Sequence, residues 1–129
     1  MILEISGSRG FSLRAGDIDM NTPIIFPHIE LHGVKYPRVT LHWYDIVGDS
    51  SWMDKSEFEE FECAEAVTEG FVFDIFEKNG VKFVRTFSSY VDEEDGPTFG
   101  DRGCFPLSVL NPKCQHIIEM AEVYIRKRA

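Results

Sequence analysis

Lys78-Asn79-Gly80 lies between two runs rich in aromatic and β-branched residues, Phe71-Val72-Phe73-Asp74-Ile75-Phe76 and Val81-Lys82-Phe83-Val84-Arg85-Thr86-Phe87. Asn-Gly readily adopts the positive φ angles of a type I′ turn, whose twist matches that of paired strands. The chain is thereby committed to an antiparallel hairpin near its middle. Phe71, Phe73 and Phe83 share faces across that ladder, and each cross-strand pair adds about 0.2–1 kcal/mol.

The preceding stretch, Ile24 to Val47, also reads as β. Ile29 and Leu31, then Val39, Leu41 and Trp43, recur at spacings of two and so line single faces of extended strands. His32-Gly33 closes a hairpin or marks a bulge between them, while Pro27 and Pro37 favour edges and strand starts. Ile2-Leu3-Glu4-Ile5 predicts a short strand, Ser6 to Gly10 a loop, and Asp17 to Asn21 an exposed connection. Ser56-Glu57-Phe58-Glu59 matches a capping box and predicts a helix of one to two turns near 56–62. Its Phe58 and Phe61 share a face, and so short a helix has to dock on something apolar.

Asp92 to Gly103 reads as a polar loop rich in Gly and Pro, long enough to suggest mobility or function. Phe105 and Leu107 alternate around Pro106, which confines them to an edge or a short strand. Ile117 to Ile125 fits a strand or a helix; Arg126-Lys127-Arg128 would complement a helix C-terminus and favours helix from about Glu119.

With 129 residues the chain has room for one domain. Its 11 Phe, 4 Tyr and 2 Trp supply enough apolar area to fold, which argues against intrinsic disorder. The net charge is −9, and residues 53–100 alone carry thirteen acidic and four basic side chains. Acidity of this kind argues against direct contact with nucleic acid or an anionic membrane, both of which reward a basic surface. Met1 to Ile5 is too short and too soon interrupted for a signal peptide, and no apolar run approaches the roughly 20 residues of a membrane span. Cys63, Cys104 and Cys114 form no disulfide framework and suggest reduced thiols in the cytoplasm, with Cys63 and Cys104 buried and inert.

No motif names an activity. His28 and His32 on a strand would stand roughly 13 Å apart, too far for one ion, and no CxxC or HExxH pair is present. No metal or other cofactor is therefore expected. Asp92-Glu93-Glu94-Asp95 lacks the alternating ligand spacing of a calcium loop and reads as a solvated, partner-facing run. GxSxG and phosphate-binding glycine loops are both missing. Trp43-Tyr44-Asp45 and Ser50-Ser51-Trp52 are the most unusual local composition. Exposed tryptophans would anchor a partner or a ligand; core packing is the alternative, favoured for Trp43 and evenly balanced for Trp52.

Val39-Thr40-Leu41-His42-Trp43-Tyr44-Asp45, Ser51-Trp52, Glu69-Gly70-Phe71-Val72 and Phe105-Pro106-Leu107 with Ile117-Ile118 resemble small uncharacterised proteins of tailed bacteriophages. There a strand ending in Trp-x-Asp precedes a second Trp, a Gly-aromatic hairpin and a Pro-containing strand. The likeness spans residues 39–118 and departs at Ser51, where Gly is common. It implies a small SH3-like or Sm-like β-barrel of viral origin and carries over no catalytic residue.

Together these readings give a mainly β, α+β single domain over 1–129, either a strongly bent antiparallel sheet or a small barrel. It comprises an N-terminal extension (1–38), a β core (39–118) and a C-terminal segment (119–129). The expected function is that of a non-enzymatic phage accessory protein in the host cytoplasm, binding a host protein or a small ligand. Trp43, Asp45, Trp52, Asp92, Glu93, Glu94 and Asp95 are its expected contact residues, and edge-to-edge homo-oligomers are compatible with an unprotected strand edge. The alternatives are an acidic decoy for a basic nucleic-acid-binding protein and a small hydrolase or nucleotide-processing enzyme using His42 and Asp45. Residues 42 and 45 point to opposite faces of one strand, which counts against the enzyme.

Overall fold

A computed structural model describes residues 3–4 and 24–128. The expected loop at 6–10 and connection at 17–21 lie outside the described residues. Leu3–Glu4 (β1) pairs in parallel with Ile24–Ile25 (β2). The main sheet is antiparallel and contains His28–Leu31 (β3), Val34–Asp45 (β4), Ala64–Lys78 (β5), Val81–Phe87 (β6) and, beyond the Ser89–Glu93 (β7) and Gly96–Gly100 (β8) hairpin, Gly103–Pro106 (β9). Its strand order is β3-β4-β5-β6-β9. The sheet stays open; of the two expected architectures the barrel is the one to correct. Its outer strands, β3 and β9, are four residues each and do not pair with one another. Because β3 and the first half of β4 belong to it, the sheet begins well before residue 39.

Both expected hairpins form. Asn79 and Gly80 have φ of 54° and 78°, and His32 and Gly33 have 49° and 80°. Two successive positive φ angles are what a tight turn between twisted strands requires. Between Val72 and Asp74 the β5–β6 register shifts. The bulge frees the Phe73 carbonyl, which accepts a hydrogen bond from Arg128 Nη2 at 3.1 Å.

Each face of the sheet carries its own core. On one face Val39, Leu41, Val72, Val84 and Phe105 pack against a C-terminal helix, Pro112–Lys127 (α1), through its Ile117, Ile118, Met120 and Ala121. The helix starts seven residues before Glu119: Asn111 caps it by accepting from Cys114 N at 2.9 Å, and Pro112 occupies its first turn. Asn111 N also donates to His42 O at 3.0 Å, pinning the start of the helix to β4. Cys114, buried on α1, accepts from His42 N at 3.2 Å.

On the opposite face Leu31, Tyr36 and Phe87 are buried with Phe71, Phe73 and Phe99 around them. Phe99 of β8 meets Phe87 at a ring distance of 4.7 Å, Phe73 at 5.1 Å and Tyr36 at 5.8 Å. That ring lays the β7–β8 hairpin onto the sheet. The expected loop over 92–103 is thus largely hairpin: Asp92 pairs with Pro97 and Glu93 with Gly96, leaving Glu94-Asp95 as the turn. The His32 ring reaches Asp92 Oδ1 at 2.8 Å and ties the β3–β4 turn to β7. No helix of the described residues is long and apolar enough to cross a membrane.

Candidate functional site: an exposed aromatic arm and a cleft

β4 and β5 stay in register out to Asp45 and Ala64. The chain between them, residues 46–63, forms an arm in which every residue is exposed. Its helix, Lys55–Glu59, is one turn long and has no buried residue. Asp54, not Ser56, is its cap: Asp54 Oδ1 accepts from Glu57 N at 2.8 Å. Asp49 Oδ1 likewise accepts from Ser51 N at 2.8 Å, and that hydrogen bond holds the Asp49 carboxyl below its ordinary pKa. These two carboxylates shape the arm from within by closing local backbone turns.

Every apolar side chain of the arm is exposed. Trp52 is fully exposed at 100% and Ile46 at 83%, and Phe58 is 65% exposed. Phe58 and Phe61 share a side, with ring centroids 6.3 Å apart, as the sequence spacing requires. With Trp52 and Met53 they border a hollow of about 230 Å³. Around this surface residues 54–65 carry six acidic side chains and one basic one.

The remaining expected contact residues are dispersed. Trp43 packs on Phe105 at a ring distance of 5.1 Å and donates its Nε1–H to Thr68 Oγ1 at 3.0 Å, so it belongs to the helix-side core. Asp45 is exposed at the base of the arm. Asp92, Glu93, Glu94 and Asp95 sit at the end of the β7–β8 hairpin, which covers the face away from Trp43. His42 points its ring at Glu65, Nδ1 to Oε1 3.2 Å, and among the described residues no hydrogen bond or ion pair joins it to Asp45. No protein family, curated protein sequence or solved structure matches this chain.

The surface has a second concave feature. Between β8, β9 and the outer part of β6 lies an open cleft of about 870 Å³. Phe73, Phe87 and Phe99 give it an apolar floor, and Arg85, Arg102 and Cys104 stand at its sides. Arg85 is held by a two-pronged pair with Asp74, which raises its pKa further, and its guanidinium lies 4.3 Å from the Phe76 ring centre. Arg102 makes no hydrogen bond or ion pair among the described residues. Asp101 shares the rim and accepts from Ser89 Oγ. No local pattern in the sequence marks the cleft, because its floor depends on which strands become neighbours.

Cys63 and Cys104 are exposed, contrary to their expected burial, and only Cys114 is buried. Cys63 follows the acidic end of the arm and Cys104 faces the cleft, so neither position is closed by the core. Among the described residues no three His, Cys, Asp or Glu side chains gather to hold a metal ion.

Proposed function

We propose that this is a non-enzymatic binding protein, an accessory protein of the tailed-phage kind that its sequence resembles, acting on a protein partner in the host cytoplasm. The observation that carries this reading is Trp52, fully exposed beside Phe58 on a one-turn helix with no buried residue. A helix that short has no stability of its own. Large exposed aromatics are the side chains that dominate binding energy when a partner covers them. The surrounding carboxylates favour a partner whose apolar groove has a basic rim, and they steer its approach. The separation of His42 from Asp45 and the engagement of His42 with Glu65 speak for binding over hydrolysis.

Photo-cross-linking inside bacteria tests the reading. Phe58 in the arm, or Val81 at the far hairpin turn, is replaced by benzoylphenylalanine; both positions are exposed. Irradiation is expected to give discrete adducts from position 58 and none from position 81. Equal adduct patterns from the two positions would remove the arm as the contact surface.

A further inference from the structure

We propose that Arg128 is a strap that holds shut a flap, the β3–β4 hairpin over residues 28–37, across a fork in the main sheet. The fork has its cause in the sequence. β4 and β5 stay in register from Asp45 with Ala64 to Arg38 with Phe71, and the next pair would be Pro37 with Val72. Backbone groups of successive strand residues face alternate edges of the strand. Arg38 N donates to Pro27 O at 2.6 Å, on the β3 side, so Pro37 faces β5. Proline has no N–H to give to that ladder, and the ladder ends there. Beyond this point β4 continues paired to β3, and β5 continues paired to β6 through the bulge after Val72.

The Arg128 guanidinium spans the fork. Its Nη1 donates to Lys35 O of β4 at 2.8 Å and its Nη2 to Phe73 O of β5 at 3.1 Å. One rigid, planar group with diverging donors thus stands in for the missing rung. Arg128 directly follows α1, which packs on one face of the sheet, yet its guanidinium carbon lies 5.2 Å from the centre of the Tyr36 ring in the core of the other face. The strap therefore joins the end of the helix to both cores. Tyr36 in turn meets Phe73, Phe87 and Phe99, so the flap and the β7–β8 hairpin rest on the same rings. The flap cannot hold itself in place, because a two-stranded hairpin detached from a sheet is marginal in water. Opening it bares the Tyr36, Phe73 and Phe99 rings and the edge of β5 beyond the fork. It is a lid on the second core, latched from the far face by the end of α1.

Hydrogen exchange read by mass spectrometry on the folded full chain tests the strap, because it reports opening segment by segment. In Arg128→Ala the amides of residues 28–37 should exchange at least about tenfold faster, the effect of losing two charge-assisted hydrogen bonds. Amides of residues 39–45 and 64–70, on the ladder before the fork, should keep their rates. Residues 89–100 should loosen with the flap, since Phe99 leans on Tyr36. Arg128→Lys keeps the charge but offers one nitrogen where two carbonyls on different strands have to be met, so it should exchange as Arg128→Ala does. Arg128 is half-buried, and circular dichroism checks that each variant is folded. Unchanged rates over 28–37 would overturn the proposal. Equal acceleration over 28–37 and over the ladder before the fork would also overturn it, because Arg128 would then add only general stability. Wild-type rates in Arg128→Lys would make charge alone the cause and overturn the two-carbonyl strap.

Discussion

Gly70 leaves no room for a side chain. An added Cβ would lie 2.7 Å from the Phe87 carbonyl oxygen and 2.9 Å from Ser88 Oγ. At this point the chain turns out of β6 towards β7, and Ser88 Oγ donates to Glu69 O at 2.7 Å. Gly70→Ala should therefore lower stability by about 1–3 kcal/mol, the usual range for overpacking, read as a lower urea midpoint with an unchanged slope. An unaltered midpoint would mean that β6 leaves the sheet differently. Cys114 illustrates a second residue-scale effect. Burial pushes its thiol above an ordinary value near 9, so the folded chain keeps the proton to higher pH than the unfolded chain does. Its contribution is intact below the unfolded thiol's pKa and is lost as pH rises through the folded one. Urea midpoints should hold steady at neutral pH and fall on the alkaline side, and Cys114→Ala should show a shallower alkaline fall. Equal slopes for the two proteins would contradict the burial of this thiol.

At the scale of elements, what the sequence revealed follows local chemistry. Asn79-Gly80 and His32-Gly33 were legible because positive φ is a property of the residues themselves. The start of the C-terminal helix was not, because Asn111-Pro112 reads equally as a turn until Cys114 N is seen to bond the Asn111 side chain. Asp92 to Gly103 looked like a loop because its residues are polar or small. Pairing of Asp92 with Pro97 and Glu93 with Gly96 is stabilised from a distance, by Phe99 seated among Tyr36, Phe73 and Phe87. The arm shows the reverse. Local sequence gave its helix and the shared face of Phe58 and Phe61, and the rule that a short helix must dock on something apolar. No other part of the described chain meets that need. The two tryptophans divide accordingly: Trp43 is fixed by Phe105 and Thr68, and Trp52 is fully exposed.

At the scale of the whole molecule, the sheet has a helix on one face and a hairpin on the other, and each face has its own aromatic or aliphatic core. The mainly β class, the middle hairpin and a C-terminal helix were legible in periodicity alone. Whether the sheet closes was not, because closure depends on the separation of β3 and β9, which no local pattern records. The spatial dispersal of the expected contact residues was hidden for the same reason. Trp52 and Asp45 are exposed, Trp43 is packed away, and Asp92 to Asp95 lie across the sheet from it. Arg102 and Cys104 became neighbours of Phe99 and Phe73 only through the strand order. The large acidic excess of residues 53–100 is concentrated on the arm and the β7–β8 turn, two projections on an otherwise balanced body.

The most direct measurement pairs stability with partner contact in one substitution, Trp52→Ala. Because Trp52 is fully exposed, its loss should move the unfolding free energy by no more than about 0.5 kcal/mol, whereas Trp43→Ala should cost about 3 kcal/mol. The same Trp52→Ala chain, carrying benzoylphenylalanine in place of Phe58, should lose the cross-linked adducts. A Trp52→Ala protein that is markedly less stable, or one that keeps every adduct, would contradict an arm built to be covered by a partner.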